Sequence, residues 1–192
     1  MRRRELVAAL PAVLSAGCTI GGEPERTGRT DFSVALPGLE GGLLPERYTC
    51  DGTGESPPLR IEGVPDAAES VAVVGEWLRG YTPQTIWLLW GVQATDPLEL
   101  PAGIPDRERL DSPEGARQGV NGGGTVGYRS PCHETADNQA YRFVAHALPE
   151  RPDLSPGADR DAFDDAIERD LSAVSSTSLR VRYERFPERR SS

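Results

Sequence analysis

The chain has 192 residues, which suits one domain plus a targeting segment and is long enough to bury a core without metal or disulfide staples. Glycine (21) and proline (17) are abundant, which fits many turns and short strands and excludes a fold of long helices. Acidic residues (30) outnumber basic ones (21), every base is arginine, and the net charge is −9. Such a surface repels phosphate backbones and anionic headgroups, so nucleic acid is excluded as a partner. Arginine without lysine suits a GC-rich genome. Combined with the acidity it points to a high-salt setting, where acids stay hydrated and self-repulsion is screened.

The chain opens MRRRELVAALPAVLSAGC. Arg2 to Arg4 precede an apolar run from Leu6 to Leu14, and the small residues Ser15, Ala16 and Gly17 lead to Cys18. This is the plan of a secretory signal over residues 1–17, and the run is too short for a permanent membrane span. A cysteine directly after a small-residue cleavage site resembles a lipobox, with Cys18 as the lipidated residue and the membrane as its anchor. The departure is Ser15, where a lipobox has Leu; the nearest leucine, Leu14, lies one place further out. The other reading is an ordinary secreted protein. Residues 18–30 are polar and without periodicity and read as a flexible tether. The domain is placed at 31–187 and a disordered tail at 188–192.

Within the domain, Phe32, Val34 and Leu36 mark a first strand. Val71–Val74 and Ile86–Trp90 are short β-branched or aromatic runs bounded by turn residues, the signature of buried strands. Glu99–Gly127 is a long connection. Its Asn121–Gly124 run does not open a helix behind a strand, so it is not a phosphate loop. Tyr141–Leu148 reads as a further strand. In Ser178–Tyr183, residues Leu179, Val181 and Tyr183 alternate with Arg180 and Arg182, as in a strand with one wet side. One helix is expected, capped by Asp159, with Phe163, Ala166, Ile167, Leu171 and Val174 as its apolar stripe.

An ordered set of short motifs runs through this domain: Tyr48-Thr-Cys-Asp-Gly52, Ser56-Pro-Pro-Leu59, Gly63-Val-Pro65, Trp87-Leu-Leu-Trp90, Leu100-Pro-Ala-Gly103, Gly127-Tyr128, Pro131-Cys132 and Tyr141-Arg-Phe143, with Gly157-Ala158 and Tyr183 after them. In this order and spacing the set resembles the prokaryotic branch of the phosphatidylethanolamine-binding proteins, also called Raf kinase inhibitor-like proteins, over about Asp31 to Arg185. The resemblance implies a mostly-β, PEBP-like fold with a large and a small sheet and a short C-terminal helix. It also implies a pocket for small anions near a sheet edge.

That pocket is marked in the family by an Asp-Pro-Asp turn, a His before the Trp of the next strand and a His before an Arg-Tyr strand. Here Glu76 matches the acid that precedes the turn, and the turn itself becomes Trp77-Leu78-Arg79. Ile86 stands at the first His position. Gln139 stands at the second, followed by Ala140 where the family has Arg. Tyr128, Pro131, Cys132 and Tyr141 are retained. Replacing imidazole with Ile86 removes a donor, and Arg79 in place of an acid reverses the local charge, so the lining points away from phosphatidylethanolamine.

Cys50 and Cys132 belong to motifs that the family fold brings near each other. Outside the cytoplasm such a pair suggests a disulfide, and two buried thiols are the other reading. Cys132 beside His133 lacks a third orienting group for nucleophilic catalysis, and His133 reads as a solvated loop residue. Glu76 with Arg79 reads as a surface ion pair. Two His and three Cys without Cys-x-x-Cys spacing disfavour a metal site, and no cofactor motif is present.

The expected function is a non-catalytic lipoprotein that binds a small, partly apolar and anionic ligand in a remodelled pocket. The ligand-binding residues are Glu76, Trp77, Arg79, Ile86, Tyr128, Pro131, Gln139 and Tyr141. The alternative is a protein-interaction module, such as an exported protease inhibitor, whose pocket is closed.

Overall fold

The computed structural model describes residues 31–133, 138–167 and 173–185. The expectations for the signal, the tether, Cys18, Leu171 and the tail at 188–192 lie outside the described residues. Among those described, no helix is long and apolar enough to cross a membrane.

Two antiparallel sheets form the domain. The small sheet joins β1 (Ser33–Ala35), β2 (Leu59–Glu62) and β5 (Leu98–Leu100) in the order β1-β2-β5. The large sheet joins β3 (Ser70–Trp77), β4 (Gln84–Gln93), β6 (Arg117–Gln118), β7 (Asn138–Leu148) and β8 (Ser175–Glu184) in the order β6-β4-β3-β7-β8. The expected strands and the two-sheet fold class are all present, together with β2, β5 and β6, which are short pieces inside Gly/Pro-rich connections.

Both faces of the large sheet are covered, which explains why β3 and β4 read as near-continuous apolar runs. Val71, Val73, Trp87, Leu89, Tyr141 and Phe143 pack on the inner face with Val34, Leu36 and Ile61 of the small-sheet side. Ala72, Val74, Leu88, Trp90 and Leu148 pack on the outer face with Phe163 of the single described helix, α1 (Arg160–Ala166). Asp159 caps that helix as expected, accepting from the Ala162 amide at 2.9 Å. Val174 is not part of the helical stripe. It is exposed just ahead of β8, where its amide bonds to the Ala147 carbonyl.

The alternation along β3 sets up everything that follows. It turns Val71, Val73 and Trp77 inward and Ala72, Val74 and Glu76 outward, with a register shift against β4 between Gly75 and Glu76. Gly75 is required by close packing. A Cβ there would lie 3.0 Å from the Trp87 Cβ and 3.1 Å from the Ile86 Cγ1. The missing side chain is what lets Ile86 lie flat against β3.

Candidate functional site

Strand pairing assembles the inner-face mouth at one end of the large sheet. Trp77 sits opposite Tyr141, and Gln139 opposite Tyr183. The Trp77 indole lies nearly parallel to the Tyr141 ring, with centroids 6.1 Å apart and planes at 14°. Its Nε1 donates to the Gln139 Oε1 at 3.2 Å. The Arg79 guanidinium lies over the indole, 5.0 Å from the ring centroid. A stacked pair contributes about 0.5–1.5 kcal/mol beyond area burial, and an exposed cation–π contact about 0.5–1 kcal/mol. Among the described residues, the Trp77 indole thus lies against Tyr141, Gln139 and Arg79 at this end of the sheet. Ile86 is 3 % exposed and Tyr141 is 1 % exposed, while Trp77 is half-buried.

Tyr128 and Pro131 support this arrangement from the loop before β7. The Tyr128 hydroxyl donates to the Tyr48 carbonyl at 2.9 Å, and its ring meets Trp87 edge-on. The amide after it, from Arg129, bonds to the Ile86 carbonyl at 2.7 Å. The Pro131 carbonyl accepts from the Cys50 amide at 3.0 Å. Cys50 and Cys132 are joined in a disulfide, so Cys132 carries no free thiolate for nucleophilic chemistry. Burial pushes the Tyr128 and Tyr141 phenols well above their ordinary value. At Tyr141 the neighbouring Tyr183 adds to that rise, while Arg129 and Arg79 oppose it. Both rings are neutral hydrogen-bonding groups.

Two readings of the sequence are corrected here. Glu76 does not join the mouth and does not pair with Arg79. Strand alternation places it on the outer face, where its side chain is 4 % exposed and bound by Arg142 and Arg160. His133 is not a solvated loop residue. It is buried, with its ring 5.0 Å from that of Tyr183, because the disulfide at Cys132 pulls the loop against the end of β8.

The sequence reading also gave no role to a polar group beside the mouth. The Tyr183 hydroxyl donates to the Asp51 carboxylate. Arg185 bonds to Asp51 at 3.3 Å through Nε and to the His133 carbonyl at 2.7 Å through Nη1. Asp51 was legible only as a motif letter, and Tyr183 as a motif letter on the apolar face of its strand. They meet across a sequence separation of 132, which no local spacing reports. A second residue missed is Tyr81. It stands fully exposed at the tip of the β3–β4 hairpin, beside Gly80 at φ 70°. Among the described residues no group of three His, Cys, Asp or Glu is placed to hold a metal ion.

Two antiparallel sheets with the candidate site at one end of the larger one define a class of mostly-β two-sheet domains. The profile of the phosphatidylethanolamine-binding protein family matches residues 37–183, and this chain belongs to that family. It is similar to a UPF0098 protein of Methanothermobacter thermautotrophicus, at 39% identity over 66% of this chain and 82% of the relative. A UPF0098 protein of Pyrococcus horikoshii is 32% identical over 85% of this chain and 80% of its own length. The fold is shared with Escherichia coli YbcL, described as a member of the mammalian PEBP family. Its TM-score is 0.70 at 23% identity, covering 81% of this chain and 99% of that one. A PEBP homolog from Chlamydia trachomatis gives a TM-score of 0.68 at 24% identity, covering 81% and 98%.

Proposed function

We propose that this chain is an exported lipoprotein, tethered at Cys18 on the extracytoplasmic face of the membrane, whose domain binds a partner protein without catalysis through the rim of a closed mouth. The observation that carries this reading is the Trp77–Tyr141 stack. A small ligand would have to touch Ile86 and Tyr141, and both are buried, with the indole stacked on Tyr141. What remains exposed at that end is the hairpin tip, where Arg79 and Tyr81 offer the residue types that dominate protein interfaces. Members of this family generally bind rather than catalyse.

The test is a photo-crosslinking amino acid placed at position 81 in the intact, membrane-attached protein. This reading expects one discrete protein adduct, competed by added wild-type domain and not by a domain carrying Arg79→Ala and Tyr81→Ala. Equal competition by both domains would count against it.

A second reading keeps a small, partly apolar anion as the ligand. The polar group of Asp51, Tyr183 and Gln139 beside the indole favours it. A ligand that lifted Trp77 would uncover the Tyr141 hydroxyl with Arg79 and Arg129 nearby. Such a ligand would bind by selecting an open form, and its affinity would fall by the population of that form.

The anchor is tested separately. Mass measurement of membrane-extracted protein is expected to show a chain beginning at Cys18 with an added lipid. A chain that still carries residues 1–17 would end the lipoprotein proposal, and a cleaved chain without lipid would indicate secretion.

A further inference from the structure

The outer face of the large sheet carries a second group of reactive side chains, behind the mouth and separate from it. Glu76, Arg142, His146, Arg160, Ser176 and Ser178 wall a cleft of about 250 Å³ between β7, β8 and α1. Val74 and Val144 floor it. In the strand register Arg142 stands opposite Glu76 on one side and Arg180 on the other, while His146 stands opposite Ser176.

We propose that this cleft is a binding site for a small oxyanion, held by the Arg142 and Arg160 guanidiniums with Ser176 and Ser178 as hydroxyl donors. The charge balance is the first support. Both guanidiniums bond to the single Glu76 carboxylate, Arg142 Nε to Oε2 at 2.7 Å and Arg160 Nη1 to Oε1 at 2.9 Å. Among the described residues, Asp164 is also held by Arg160 Nε at 2.7 Å and has 45% of its side chain in solvent, where water and salt screen it. Arg180 adds a further cation along the same row. The described lining thus carries two guanidiniums against one carboxylate, on a chain of net charge −9.

Donor capacity is the second support. A guanidinium has five N–H donors and no acceptor, so each arginine keeps donors beyond its bonds to Glu76 and Asp164. Size is the third. The volume of about 250 Å³ holds a small oxyanion together with water.

His146 supplies the readout. Its Nδ1 lies 2.9 Å from the Ser176 Oγ. Burial and then Arg160 hold its pKa below the ordinary value, against the opposing pull of Asp164 and Glu76, and Arg142 adds to the lowering. An anion between the two arginines favours imidazolium, so bound anion raises the His146 pKa.

The experiment titrates inorganic phosphate into the purified chain at constant ionic strength and follows both imidazole rings by NMR. The result expected is a saturable shift at His146 in the millimolar range, a rise in its pKa, and no change at His133. Ser178→Leu, which leaves the Glu76 bonds intact and fills the cleft, is expected to weaken binding at least about tenfold. Arg160→Lys, which keeps the charge and loses the planar fork, is expected to weaken it less. No saturable shift up to about 50 mM phosphate overturns the proposal. So does an identical shift in Ser178→Leu, which would mark a general ionic effect.

Discussion

Glu76 and Trp77 are neighbours in the chain and stand on opposite faces of the large sheet. Glu76 ties the outer face to α1 through Arg142 and Arg160, and Trp77 stacks on Tyr141 at the inner mouth. The end of β3 is therefore gripped from both sides, and the consequences of loosening either grip are separable.

On the inner side, Trp77→Ala removes the stack, the bond to Gln139 and the surface that Arg79 covers. The expected cost is about 1–3 kcal/mol, less than for a fully buried tryptophan because the indole is only half-buried. Urea denaturation measures it. Trp87 and Trp90 are fully buried, so Trp77 is the one indole of the three open to acrylamide. Quenching is expected to vanish in Trp77→Phe.

On the outer side, Glu76→Gln leaves two guanidiniums without their shared carboxylate. Removing one partner of a fully buried pair costs about 3–5 kcal/mol. Arg142 and Arg160 keep 31% and 33% of their side chains in solvent, and so recover part of their hydration. The expected loss is about 1–3 kcal/mol after that discount. It should be read as a shift of the denaturation midpoint and a loosening of α1 in hydrogen exchange.

The pH dependence follows from His146. Its folded pKa lies below the unfolded value of 6.5, chiefly through burial. The folded chain then binds fewer protons than the unfolded chain in the window between the two values. The stability that His146 contributes by staying neutral is complete above 6.5 and drains as pH falls through the folded value. The slope is at most about 1.4 kcal/mol per pH unit. Denaturation between pH 5 and 7.5 is expected to show this slope in the wild type and a shallower one in His146→Gln.

The disulfide closes a loop with a sequence separation of 82. In the chain-entropy model it contributes on the order of 4–5 kcal/mol. Cys132 is exposed, so a small reductant reaches it. Reduction is expected to lower the denaturation midpoint by that order, and Cys50→Ser with Cys132→Ser to abolish the difference between oxidised and reduced samples.

What the sequence made legible was whatever depends on local pattern. The apolar runs of β3 and β4, the alternation of β8 and the Asp159 cap were all readable, and the ordered motifs carried the two-sheet fold. Side-chain direction at the end of β3 was not. One step along a strand reverses the face, and the register shift at Gly75 and Glu76 occurs where motif matching assigned Glu76 to the mouth. The Asp51–Tyr183 contact was likewise hidden, since it joins the two ends of the domain. His133 read as a loop residue because its burial comes from a disulfide partner far back in the chain.

The most direct measurement is a titration of the wild-type chain with glycerophosphoethanolamine, the headgroup chemistry of the family name, followed by Trp77 fluorescence with Trp77→Phe as the blank. A mouth closed by Trp77 over Tyr141 is expected to give no saturable, Trp77-dependent change. A saturable change that is lost in the blank would contradict the closed mouth and return the site to small-ligand binding.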